Sequence, residues 1–162
     1  MRLLALIGLT AALAAGPAAA QNAGQIAKVA RGGSCPGCNL FQAELSGLQR
    51  SGVNLSRARL RQADLSLVVM NRANFSGADL RDVNAYGGVF GGASFAGANL
   101  TNATFVGTFL EGASFRAANL SGANFSGAEM ARATGLTQAQ LDRACGDQAT
   151  VLPRGLRIPA CR

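Results

Sequence analysis

Four cysteines offer the most recognisable chemistry in this 162-residue chain: Cys35 and Cys38, bracketing Pro36-Gly37, and Cys145 and Cys161 near the far end. Two residues between thiols suit several uses. A thioredoxin-like redox pair has this spacing, but in a strand–helix–strand setting that the flanking sequence lacks. A c-type haem site needs His directly after the second Cys; Asn39 stands there, and the chain has no His at all. Four thiolates could close a tetrahedral zinc site. Two structural disulfides are the remaining use.

Other catalytic constellations are missing. Without His there is no imidazole base or proton shuttle. The many Ser residues have no base to activate them, and no Gly-rich phosphate loop precedes a helix. No catalytic, cofactor-binding or metal-binding residue is assigned, and the chain is not expected to be an enzyme.

The elements that would position these groups follow from one register. From Cys38 to Arg132 the sequence reads in nineteen unbroken fives, such as ANFSG, ADLRD and ANLTN. Each five has a small first residue and a large apolar third one: Leu40, Leu45, Leu55, Leu60, Leu65 and onward to Met130, with Arg50 and Ala85 as exceptions. Five fits neither regular structure. On a helix, successive apolar residues would drift by about 140°. On a strand, an odd period would flip them to alternate faces. The chain must turn once per repeat, and the frequent Gly at the fifth position and Asn, Asp or Ser at the second suit turns. Every twentieth residue forms a consistent set. Leu40, Leu60, Leu80, Leu100 and Leu120 are one; Leu55, Phe75, Phe95 and Phe115 another; Arg50, Met70, Phe90, Leu110 and Met130 an irregular third.

These residues resemble the pentapeptide-repeat family, whose pattern is A-(D/N)-L-X-X. The resemblance covers about 95 residues. It implies an all-β fold: a right-handed quadrilateral β-helix, here of about five coils, with a short C-terminal capping helix. Coils stacked about 4.8 Å apart would separate the two Cys pairs by roughly 24 Å, far beyond one metal site and beyond the roughly 7 Å that a disulfide tolerates. The expected pairs are therefore Cys35–Cys38 and Cys145–Cys161, with no metal and no cofactor.

In chain order, residues 1–20 read as a signal peptide cut after Ala20: Arg2, an apolar run from Leu3 to about Ala15, then Ala18-Ala19-Ala20. That run is too short for a membrane span, and a periplasmic or secreted protein is expected. Residues 21–37 form a leader, frayed or with one helical turn around Ile26 and Val29, and Gly32-Gly33 suggests a flexible joint. The β-helix occupies 38–132. In 133–162, Thr137 and Gln140 form a capping box, Leu136 and Leu141 a hydrophobic staple, and Gly146 a terminator, which predicts a helix from Gln138 to about Cys145. A disulfide-closed tail then folds Leu152, Leu156 and Ile158 back onto the end. The tail also resembles one recurring in secreted proteobacterial members of the family.

Without Arg2 the chain has fourteen basic and eight acidic residues, a net of +6. The run Arg57, Arg59, Arg61 reads as a solvated face. One side departs from the polar pattern: Val69, Val89 and Phe109 take second positions, with Leu67, Tyr86 and Val106 near the shared corner. These six are the candidate interaction face. The expected function is a non-catalytic exported scaffold or protein-interaction module, its partner an unknown protein or a second copy in a homodimer. One alternative, implied by the resemblance, is a DNA mimic that engages gyrase; such members are acidic and cytoplasmic, whereas this chain is basic and reads as exported. Another is a structural envelope module without a ligand. No nucleic acid is expected as a partner.

Overall fold

The computed structural model describes residues 17–162. The apolar run of the expected signal peptide lies outside them.

The backbone of one pentapeptide explains the repeat when each of its five N–H groups is followed to its acceptor. The first residue donates within the turn to the preceding third residue, as Ala43 does to Leu40 (3.1 Å). The second donates to the rung before: Arg59 to the Cys38 carbonyl, 2.8 Å. The third and fifth donate to the rung after, as Leu40 to Arg59 (2.8 Å) and Gln42 to Arg61 (3.0 Å). Only the fourth N–H is left over, and the second residue's side chain accepts it: Asn54 from Ser56 (3.0 Å), Asp64 from Ser66 (2.8 Å), Asn74 from Ser76 (2.9 Å). That is why Asn, Asp and Ser recur there. The fifth residue adopts positive φ in every repeat but the last, which ends at Arg132: Gly at ten positions and a side-chain residue at eight others, Leu67 among them (56°).

Parallel bridges join second residues twenty apart, from Asn39↔Arg59 through Ser114↔Thr134. Four pentapeptides therefore separate stacked rungs, and the third residues define four sides, named here for Leu40, Leu45, Arg50 and Leu55. First and third residues fill the interior, with Leu40, Leu60, Phe75, Leu80 and Phe95 fully buried. Phe75, Phe95 and Phe115 stack at 5.2 Å between ring centroids, and Phe105 stacks on Phe125 at 5.4 Å. Phe90, from the Arg50 side, meets Phe75, Phe95 and Phe105 edge-on.

Three expectations at the ends need correction. The leader is not frayed: helix α1 (Pro17–Ala30) runs through it. Val29 is fully buried and Ile26 packs on the core, because the first rung leaves apolar side chains with no rung before them. Second, Cys35, expected in the leader, already belongs to the ladder. Its N–H donates to the Asn54 carbonyl (2.8 Å), and its side chain is buried in the position Leu takes elsewhere. Third, helix α2 spans Gln138–Leu141 and stops short of Cys145. The chain leaves the helix because Arg143 and Cys145 rejoin the ladder, accepting from Gly122 (2.7 Å) and Phe125 (2.8 Å). Gly146 consequently pairs with Ala160 instead of ending the helix.

The capping box at Thr137 and Gln140 is present. Gln140 Nε2 also reaches the carbonyls of Phe115 and Ala118, both at 2.9 Å, and Thr150 Oγ1 donates to Phe125 (3.0 Å). The Ala118 carbonyl is the first-position one that no following rung reaches; those of Phe115 and Phe125 already accept within their turns, from Ala118 (3.0 Å) and Ala128 (2.9 Å), and here take a second donor. Leu152, Leu156 and Ile158 pack against the core at this end.

Candidate interaction face

The cysteines form two pairs: Cys35–Cys38, with Cα atoms 5.4 Å apart, and Cys145–Cys161, at 4.8 Å. The first closes the same turn in which first-residue N–H groups meet the preceding third-residue carbonyl; here Cys38 donates to Cys35 at 3.3 Å. No metal-ligating cluster occurs among the described residues.

The six apolar residues fall on one corner of the molecule. Val69, Val89 and Phe109 are successive bridge partners, so they stack one per rung in a single column. Gln49 precedes them and Glu129 follows. Leu67 donates to the Tyr86 carbonyl (2.8 Å), and Gly87 to that of Val106 (2.9 Å), which sets the other three residues on consecutive rungs alongside. Exposure is unequal. Leu67 is 62% exposed, Tyr86 53% and Phe109 37%, whereas Val69, Val89 and Val106 are half-buried. The outermost part of the face is thus Leu67 and Tyr86 rather than Val89. The carboxyl-terminal segment meets this side at the end of the column, where Val151 is the bridge partner of Glu129.

This side gives up the hydrogen bond that the other three use. Val and Phe at the second position cannot accept the fourth N–H. Two rungs replace the acceptor from a neighbouring rung: Asn71 Oδ1 accepts from Gly91 (2.8 Å), and Glu111 Oε1 from Ala131 (2.8 Å). Glu111 also accepts from the backbone and side chain of Arg132, and these bonds hold its carboxyl below the ordinary range. Sequence reasoning did not find Asn71 and Glu111; the signal was a polar fourth residue under an apolar second one.

The basic run is split. Arg61 lies 3.5 Å from Asp82, and Arg81 pairs with Asp79 at 2.6 Å. Arg57 and Arg59 have no carboxylate partner among the described residues. The Arg81 guanidinium holds the Asp79 carboxyl below its ordinary value.

A family model for pentapeptide repeats matches the chain in eight copies, over residues 51–84, 93–132 and 110–145. No curated protein matches it. Among solved structures, a pentapeptide repeat protein from Nostoc Pcc 7120 is 29% identical, with 64% of this chain and 77% of that one covered and a TM-score of 0.48. A pentapeptide repeat protein from the Arabidopsis thaliana thylakoid lumen is 27% identical, covering 68% and 86%, at 0.31. QnrB1, a plasmid-mediated fluoroquinolone resistance protein, is 20% identical, covering 78% and 79%, at 0.32.

Proposed function

The chain belongs to the pentapeptide-repeat family, and on that premise we propose that it is a non-catalytic, exported scaffold that pairs with a second copy of itself through the Leu67–Phe109 face. Its body is the family's right-handed quadrilateral β-helix, about five coils long, with α1 and α2 as terminal caps. Export rests on the sequence of residues 1–20 and on the use of all four cysteines in pairs, as oxidising compartments permit.

The observation that carries the pairing is Leu67. It is a large apolar residue, 62% exposed, held at φ 56°. Left-handed backbone costs a non-Gly residue about 1 kcal/mol or more, and an exposed Leu gains nothing from water in return. The fifth position imposes this φ throughout, and the seven other side-chain residues that accept it are polar or Ala; Leu67 is the large apolar residue among them. The neighbouring column suits a two-fold partner. Gln49, Val69, Val89, Phe109 and Glu129 run polar, apolar, apolar, apolar, polar, so a copy turned about Val89 would set apolar rung against apolar rung. A self-complementary patch is what a two-fold interface requires. A nucleic-acid mimic would instead need rows of carboxylates, and the net charge here is basic.

Sedimentation equilibrium tests the reading. The chain from Gln21 should sediment as a dimer, and Leu67→Ser with Tyr86→Ser as a folded monomer. A monomeric parent, or a double variant that stays dimeric, would remove this face from self-association.

A further inference from the structure

A second surface lies on the Leu40 side, around from the apolar corner. Its first three rungs present Phe41, Arg59, Arg61, Asp79 and Arg81, which together line a cleft of about 250 Å³. The bridges Asn39↔Arg59 and Arg59↔Asp79 fix the order along the column. Arg61 and Arg81 occupy the same fourth position on consecutive rungs, so two like charges stack at strand spacing, an arrangement that disfavours folding. The two acids nearby offset Arg81 and Arg61 and leave the charge of Arg59 uncompensated. Asp79 is held by Arg81 through Nε (2.7 Å) and Nη2 (2.6 Å). Asp82 lies against Arg61 and also accepts from Asn102 (3.3 Å). Arg59 is left with an open guanidinium fork, and Arg57 sits exposed at the adjoining corner.

Phe41 is the second, independent feature. The residue is 38% exposed at the rim of this cleft, in the fourth position that Thr101 and Ser121 hold further along the same side. Beyond the arginines the side continues with Asn99, Thr101, Asn119 and Ser121, amides and hydroxyls that meet one another by hydrogen bonds. A free phosphate would use only the charges. A hydrophobic peptide would not need the forks. An open planar fork, an exposed aromatic face and a track of neutral hydrogen-bonding groups suit a chain of sugars that carry carboxylates.

We propose that the Leu40 side binds an acidic polysaccharide, with a uronate carboxylate on Arg59 and Arg61 and the C–H face of a sugar ring on Phe41. The amide and hydroxyl track beyond them takes the neighbouring hydroxyls.

The probes are trigalacturonate, neutral trigalactose, polyphosphate and poly-glutamate, titrated calorimetrically into the chain from Gln21. Trigalacturonate should bind and trigalactose should not. Arg59→Gln with Arg61→Gln should weaken trigalacturonate about tenfold or more, the loss of a charge-assisted pair. Phe41→Ala should weaken it about fivefold, the scale of one aromatic contact, and leave polyphosphate unchanged. Arg154→Gln with Arg157→Gln removes the same charge from the tail and should change nothing. Three results would overturn the proposal: no trigalacturonate binding, an equal loss in the tail variant, or poly-glutamate or polyphosphate binding as tightly and surviving Phe41→Ala alike. Circular dichroism of each variant separates lost binding from lost fold.

Discussion

The choice of residue at each repeat position follows from one leftover N–H. Where the second residue is Asn, Asp or Ser, its own side chain accepts it. Where the second residue is apolar, a neighbouring rung must supply the acceptor, as Asn71 does for Gly91 in the Val89 repeat; Glu111 does the same for Ala131, whose own second residue is Glu129, while also holding Arg132. A testable pH dependence follows. Glu111, Asp79 and Asp147 all have carboxyls lowered by their hydrogen-bond donors: Arg132, Arg81 and the Gly127 N–H in turn. A carboxyl lowered in the folded state contributes stability that is complete above its unfolded pKa and lost as pH falls through the folded one. Urea midpoints should therefore hold steady from pH 7 down to about 4.5 and drop below it. Glu111→Gln should lower the midpoint at pH 7 and narrow its difference from the parent by pH 3; parallel curves would show that Glu111 has no part in the acid limb. The apolar third residues were legible because their period excluded every regular alternative. The leftover N–H was not, since pattern alone gives no acceptor. Cys35 was hidden by its own motif: beside Pro36, Gly37 and Cys38 it reads as chemistry, yet its buried side chain fills a Leu position.

At the scale of elements, the two ends needed the structure most. Helix α1 has a sequence of Ala, Gln and Gly with few apolar residues, so periodicity was faint, and only Ile26 and Val29 betrayed an inward face. Its presence explains Arg50, the exception in the inward ladder. Arg50 Nε donates to the Ala30 carbonyl at 2.9 Å, so a cation meets the negative end of α1. Gln25 Oε1 accepts from Asn39 (2.6 Å), which has no rung before it. Helix α2 was legible at its start, where Thr137 and Gln140 carry the capping signal. Its end was not, because nothing in Arg143-Ala144-Cys145 resembles a pentapeptide although the segment joins the ladder. If α1 covers the first rung, Ile26→Ser with Val29→Ser should lower unfolding stability by roughly 2–5 kcal/mol, the range for core truncations. The opened edge should also self-associate end to end, seen as a rise in scattered light with protein concentration. A stable, non-associating double variant would mean that α1 is dispensable to the end it lies on.

Over the whole molecule, the ladder makes stability local. Each rung bonds only to the rungs before and after it, and in such a stack an end can open without the middle. The stacked and edge-on rings from Phe75 to Phe125 occupy the interior of the central and later rungs. The disulfides lie at the two ends: Cys35–Cys38 on the first rung, and Cys145–Cys161 on the segment that follows Phe125, whose N–H donates to the Cys145 carbonyl (2.8 Å). Reduction should therefore act at the ends. With dithiothreitol at neutral pH, amide hydrogen exchange near Leu40 and Gln42 should quicken about tenfold or more, and so should that of Phe125 and Cys145, while Ala73 to Phe95 should stay within about twofold of the oxidised protein. The C-terminal effect should be the larger, because the 16-residue separation of Cys145 and Cys161 makes their bridge worth roughly 3 kcal/mol in the chain-entropy model. Uniform acceleration across all rungs would mean that the solenoid opens as one cooperative unit and that the central aromatic stack does not stop unfolding from the ends.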